Sequence, residues 1–328
     1  MRSCSIYQNM IQEPMNASNQ FDGDEDIFSH ELGNIEDYSV STRLGRGKYS
    51  NVFRGRQKNG ELCVVKVLKP VRIGKIMREI TILEALKNGP NISQLREVVR
   101  DEDTGSIALI LSWAENENIR SVFNRLTTND IAIYIYRVLQ ALEYAHAHNI
   151  MHRDVKPGNI MFDPDTKEVS LIDWGLAEFY SPGLEYQVRV ATRHYKGPEL
   201  LLNYTKYDTS LDIWCLGVTL ATLLFRKIPF FRGHDNDEQI VKLASVLGAA
   251  DIYSYCDKYS LSLPTKVASE ISGCQRKSWS NWINKNNKDV VTNEALHLLD
   301  KMLIIDHELR PTAKELLGHP FFNNVRDQ

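Results

Sequence analysis

The alternation of apolar and polar positions along the 328-residue chain changes period about a third of the way through. Residues 1–36 are polar and turn acidic at Asp22, Asp24, Glu25 and Asp26. They predict an extension, partly unstructured, that either stays free or packs on the folded body. From Tyr38 the pattern is that of strands. Val52-Phe53 and Leu62-Cys63-Val64-Val65 flank Asn59-Gly60, a hairpin turn pair. Residues 95–99 and 107–111 are two more β-rich runs, joined through Thr104-Gly105. Between the pairs, residues 75–87 place Ile76, Ile80, Leu83 and Leu86 at helical spacing. After Ser112-Trp113-Ala114 helical periodicity dominates. Helices are predicted over 131–148, with Asp130 as N-cap, and over 210–225, 237–247, 293–305 and 315–318. The expected architecture is α+β and bilobal. A small antiparallel-sheet lobe with one main helix spans 37–111, a hinge spans 112–114, and a larger, mostly helical lobe spans 115–328. A cleft at such a junction is a common ligand site.

Composition narrows the class. Apolar residues make up 43% and charged residues 25%, ordinary for a soluble globular chain. With 39 Lys and Arg against 42 Asp and Glu the net charge is −3, so no overall field favours nucleic acid or a membrane. Cys4, Cys63, Cys215, Cys256 and Cys274 are odd in number and form no CxxC pair, which predicts reduced thiols in an intracellular compartment. The longest apolar stretch, residues 216–225, is too short to span a bilayer and suits a buried helix. No leader, myristoylation or prenylation pattern is expected.

The candidate chemistry lies in two short motifs. His152-Arg153-Asp154-Val155-Lys156-Pro157-Gly158-Asn159 is followed by Asp173-Trp174-Gly175. An Asp with an Asn five residues on, then an Asp before Gly, resembles a protein-kinase catalytic loop and metal-binding turn. Asp154 would orient an attacking hydroxyl, Asn159 and Asp173 would hold Mg²⁺, and Lys156 would neutralise the transferred phosphoryl group. A lone loop Asp is usually a cap or turn residue, but the ordered spacing argues otherwise. Trp174 brings an indole N–H that needs a partner when buried. Upstream, Leu44-Gly45-Arg46-Gly47-Lys48-Tyr49-Ser50 could bring backbone N–H groups to phosphates. Alone it reads more readily as a tight hairpin, since Ser50 replaces the third glycine. Lys66 sits in an apolar strand and needs a counter-charge. Glu79, on the following helix, can supply it, and the pair would hold nucleotide phosphates. Glu199 is expected to pair with Arg310, and Asp212 to accept backbone bonds from the catalytic loop. Arg189, Arg193 and Lys196 lie between the two acidic landmarks Asp173 and Glu199. Three close cations are ordinarily a solvated face. Beside a substrate segment they would favour acidic residues just after the phosphoacceptor. Arg72, Lys75 and Arg78 form a thinner second strip.

Leu44–Ser50, Val64-Val65-Lys66-Val67-Leu68-Lys69-Pro70, residues 150–157, residues 173–180 with their Trp, Lys196-Gly197-Pro198-Glu199 and Gly233-His234-Asp235-Asn236 together resemble the casein kinase 2 catalytic alpha subunits, eukaryotic serine/threonine kinases. The resemblance runs from about Tyr38 to Phe322. It implies a bilobal protein-kinase fold that phosphorylates Ser or Thr in acidic contexts from ATP, or GTP, with Mg²⁺. It implies activity without activation-loop phosphorylation, in cytoplasm and nucleus. Val52, Val64, Leu111, Met161 and Ile172 would line the base pocket. Val40, Phe53, Val65, Val67, Val99 and Ile110 would dock a regulatory beta-subunit dimer, or else be plain strand core. The chain departs from that family where the lysine run after Pro70 is reduced to three cations, where Leu111 replaces Phe, and where Gly158 replaces His. A catalytically dead nucleotide-binding scaffold and a proline-directed kinase are the competing readings. The first is disfavoured by the presence of Lys66, Asp154 and Asp173, the second by Lys196.

Overall fold

In the computed structural model, residues 31–70, 72–102, 104–116 and 122–326 are described. Most of the expected extension, and Cys4, lie outside them. The small lobe is a five-stranded antiparallel sheet in the order β1-β2-β3-β5-β4. Its strands are β1 (Tyr38–Arg46), β2 (Ser50–Gln57), β3 (Leu62–Leu68), β4 (Leu95–Arg100) and β5 (Ile107–Ser112), with helix α1 (Ile73–Ala85) between β3 and β4. Gly60, at φ 92°, takes the turn between β2 and β3 that the Asn-Gly pair predicts.

Period-two alternation gives the sheet two faces. Register places Val52 against Lys66 and Lys66 against Leu109 on one face, and Phe53 against Val65 and Val65 against Ile110 on the other. The first face meets α1, whose Ile76, Ile80 and Leu83 join Leu68, Val98 and Leu109 in the main core. The second face forms its own small core of Cys63, Val65, Val99, Ala108 and Ile110. Ile35, Tyr38, Phe53 and Val67 pack against that core. Residues 31–37 are therefore not a free tail. Gly33 N donates to Val98 O at 2.9 Å, and the Tyr38 hydroxyl donates to Glu97 at 2.7 Å.

The large lobe contains α2 (Thr128–Ala147), β6 (Ile150–Met151), β7 (Ile160–Phe162), β8 (Val169–Leu171), β9 (Glu178–Phe179), α3 (Pro198–Leu201) and α4 (Ser210–Leu224). It continues through α5 (Asn236–Leu247), α6 (Ala250–Lys258), α7 (Thr265–Ile271), α8 (Asn293–Met302) and α9 (Ala313–Leu317). Every residue of α4 is buried, Ser210, Asp212, Thr219 and Thr222 included, in keeping with the buried helix that residues 216–225 predict. Among the described residues no helix is long and apolar enough to cross a membrane.

Helix boundaries shift by up to three residues from expectation, and the start of α2 shows why. The N-cap of α2 is Thr127, not Asp130. Thr127 Oγ1 accepts from Asp130 N at 3.2 Å, while Asp130 Oδ2 accepts from Thr127 N at 2.9 Å. Asp130 is thus the third-residue half of a reciprocal capping box. The polar first turn, Thr128 and Asn129, hid the true start from the apolar count. Helices α6 and α7 are also absent from the sequence reading. They are short and bury few residues, Ile252, Tyr255 and Cys256 in one and Val267 and Ile271 in the other.

Candidate active site

Strand β3 delivers Lys66 to the face that meets α1, with its side chain only 7% exposed. A buried ammonium is costly unless paired. Here Nζ donates to Glu79 Oε1 at 2.7 Å and to Asp173 Oδ1 at 2.8 Å. Burial works against the charge on Lys66, but the two carboxylates outweigh it and raise its pKa well above the ordinary lysine value. Burial would likewise lift the Asp173 carboxyl, yet Lys66 dominates and holds it below the usual aspartate value. The sequence predicts the Glu79 pair; the second carboxylate it does not foresee. Asp173 reaches Lys66 from a left-handed backbone at φ 61°. Gly175 lets that turn close, because a Cβ there would lie 3.2 Å from Glu79 Oε2 and 3.4 Å from Lys66 Nζ.

The loop that carries Asp154 is braced from below. Asp212, fully buried on α4, accepts from His152 N and Arg153 N at 2.8 Å each, and lies 2.9 Å from His146 Nε2. Burial alone would raise its pKa; the His146 contact and neighbouring donors bring it below the usual value. His152 closes the loop on the Asp173-Trp174-Gly175 turn, its Nε2 3.0 Å from Ile172 O and its ring 4.6 Å from that of Trp174. The Trp174 indole finds its partner in Leu171 O at 3.2 Å.

Asp154 is held from four directions. Thr192 donates to Oδ1 through both its N and its Oγ1, each at 2.8 Å. Lys156 Nζ and Asn159 Nδ2 donate to Oδ2 at 2.6 and 3.0 Å. Lys156 also donates to Thr192 Oγ1 at 2.7 Å. Thr192 is a site residue that sequence reasoning misses, because a single Thr in a polar segment carries no spacing signal.

Because Asn159 uses its amide nitrogen on Asp154, its amide oxygen remains as the possible donor for a cation. Asp173, with a half-exposed side chain, brings a carboxylate. Hard oxygen donors of this kind fit Mg²⁺. Among the described residues no cluster of three or more His, Cys, Asp or Glu could hold a metal. A cation bound between Asn159 and Asp173 would draw its remaining oxygens from phosphate and water, as Mg²⁺ ordinarily does.

The remaining candidates divide by location. Leu44, Arg46, Gly47, Lys48 and Tyr49 are exposed, Gly45 half-buried and Ser50 buried, with Gly47 N donating to Ser50 O at 2.8 Å across the turn. The Lys48 and Lys75 ammoniums lie 5.1 and 4.9 Å from the Tyr49 ring. Val52, Val64 and Leu111 share the Lys66 face by register, whereas Met161 and Ile172 come from the large lobe. A cavity of about 590 Å³ touches Ser112, Trp113 and Ala114, but none of Lys66, Asp154 or Asp173 lines it. Geometry, not cavity volume, marks the site.

Arg189 and Arg193 are exposed, and Arg193 donates to His234 O. Lys196 is half-buried; burial, then Arg193, push its pKa below the ordinary lysine value. Arg72, at the N-cap of α1, and Lys75, on its first turn, are exposed, whereas Arg78 is engaged by Glu178. Of the six outer-sheet positions, Val65, Val99 and Ile110 are buried, Phe53 and Val67 are half-buried, and only Val40 is exposed. Glu199 and Arg310 form the expected pair, fully buried and bidentate at 2.8 and 2.7 Å.

A family model described as protein kinase domain matches residues 38–322, from the first residue of β1 to the turn beyond α9.

Proposed function

The chain belongs to the protein kinase domain family, and we propose that within it this is a serine/threonine kinase of casein kinase 2 alpha type. A protein kinase transfers the γ-phosphoryl group of ATP, with Mg²⁺, to a hydroxyl. The transition state is loose and in line, so the protein contributes mainly positioning and electrostatics. Lys66, kept charged by Glu79 and Asp173, would hold the α- and β-phosphates. Asp154 would accept the hydrogen bond of the acceptor hydroxyl and orient it. Lys156 would offset charge on the transferred group. Asn159 and Asp173 would hold Mg²⁺, which would supply positive charge to offset that of the phosphates.

One observation carries the acidic preference. Thr192 is bonded to Asp154 through backbone and side chain, so the segment holding Arg189, Arg193 and Lys196 runs beside the catalytic carboxylate. An acidic residue just past the acceptor would meet those cations, and the same field disfavours a proline-directed role. Burial of Lys196 strengthens the argument, since an acidic partner would compensate its desolvation. The resemblance adds GTP as a second donor and a regulatory beta subunit as partner. For the latter, Val40 with the flanks of Phe53 and Val67 offers the apolar surface, since Val65, Val99 and Ile110 are already covered.

The test compares serine peptides that are acidic, neutral and proline-containing in a radiolabelled transfer assay. The acidic peptide should be preferred, and added salt should erode the preference by screening exposed charge. Equal rates on acidic and neutral peptides would remove the substrate assignment.

A further inference from the structure

Arg78 and Glu79 are neighbours on α1 with different tasks. Glu79 holds Lys66, while Arg78 donates to Glu178 Oε2. The same carboxylate oxygen accepts from Arg153 Nη2 at 3.3 Å. Arg153 belongs to the catalytic loop, one residue before Asp154. Its guanidinium is almost wholly buried, and it donates further to Leu176 O at 2.8 Å and to the Tyr207 hydroxyl at 3.1 Å. Its backbone is left-handed, at φ 65°. Glu178 lies on β9 opposite Met151 of β6, the strand that runs into the catalytic loop. One carboxylate thus gathers a guanidinium from the helix that carries Glu79 and another from the loop that carries Asp154. Both pairs are partly withdrawn from solvent, where charge interactions are screened less. Without the carboxylate, two like charges would face each other, one of them buried.

We propose that Glu178 is a built-in latch. Its carboxylate ties α1 to the catalytic loop, keeps Glu79 within reach of Lys66, and does so without any phosphoryl group added to residues 174–199. Arg78 is then a positioning residue for phosphoryl transfer and not a cation that reads the substrate. The inference rests on the protein kinase assignment.

Steady-state kinetics on an acidic and a neutral serine peptide test it, using wild type, Arg78→Ala, Glu178→Gln, the double variant and Arg78→Lys. Members of one charge network couple strongly, so each single change should lower kcat about tenfold on both peptides with little change in peptide KM. The double variant should be no worse than the worse single, and Arg78→Lys should recover much of the loss. Arg78 lies on a partly exposed helical face where Ala is well tolerated, so Arg78→Ala should stay folded. Phosphatase-treated wild type should keep its full kcat. A rise in KM confined to the acidic peptide, with kcat retained, would make Arg78 a substrate cation and overturn the latch. So would single losses that multiply in the double variant, or activity lost on phosphatase treatment. Wild type inactive on every peptide would instead remove the kinase premise itself.

Discussion

A lysine in an apolar strand is tolerable only if its charge is answered, and Lys66 is answered twice, by Glu79 and by Asp173. Lys66→Met leaves those carboxylates facing each other without a cation, and Asp154→Asn removes the charge proposed to orient the acceptor hydroxyl. Each should lower kcat by roughly 10²–10⁴-fold, with the circular dichroism of the folded chain retained. The charge network also has a pH window. The Asp173 value is depressed, so its contribution to stability is complete above the ordinary aspartate value of 3.8 and is lost as pH falls through the folded value below it. The Lys66 value is raised, so its contribution is complete below 10.5 and is lost only as pH rises through a still higher value. Thermal unfolding of wild type and Asp173→Asn across pH 3 to 10 should therefore differ by a constant amount from about pH 5 to 10 and converge on acidification. A difference that instead vanished near neutrality would show that the Lys66 pair does not set the Asp173 carboxyl.

At the scale of elements, the sequence showed a helix or strand wherever one face is apolar and the other polar. Strands β2 to β5 and helices α1, α2, α5 and α8 were legible for that reason, and α4 for its long, largely apolar stretch. Their ends were less so, because caps are made by polar side chains that an apolar count ignores. The start of α2 is the clear case: the box between Thr127 and Asp130 sets it. Thr127→Ala should cost about 1 kcal/mol by denaturant titration, with activity per folded molecule unchanged. A loss within experimental error of zero would mean that packing of the α2 core face, not the cap, fixes its start. The Glu178 contacts were illegible for a different reason. Arg78, Arg153 and Glu178 are far apart in sequence, and only the fold of α1 onto β9 shows that Arg78 is engaged.

Across the whole molecule, the motifs were readable because phosphoryl transfer demands particular groups in a fixed order, and the fold brings Lys66, Asp154, Asn159 and Asp173 to one junction between the lobes. The outer sheet was not readable in the same way. Alternation marks Val65, Val99 and Ile110 as one face but cannot say that Ile35 and Tyr38 cover it. The large lobe is tied internally by the buried Glu199–Arg310 pair. Removing one partner leaves an uncompensated buried charge, so Glu199→Ala should destabilise the fold by roughly 3–5 kcal/mol. Equilibrium unfolding would read that loss, and a change under 1 kcal/mol would mean that the Ile304, Ile305 and Ser210 carbonyls suffice for Arg310. The most direct measurement on the central claim is transfer of labelled phosphate from Mg²⁺-ATP to an acidic serine peptide, by wild type and by Asp154→Asn side by side. Robust labelling by wild type and near-background labelling by the variant are expected; comparable labelling by both would contradict the assignment of Asp154 and the site built around it.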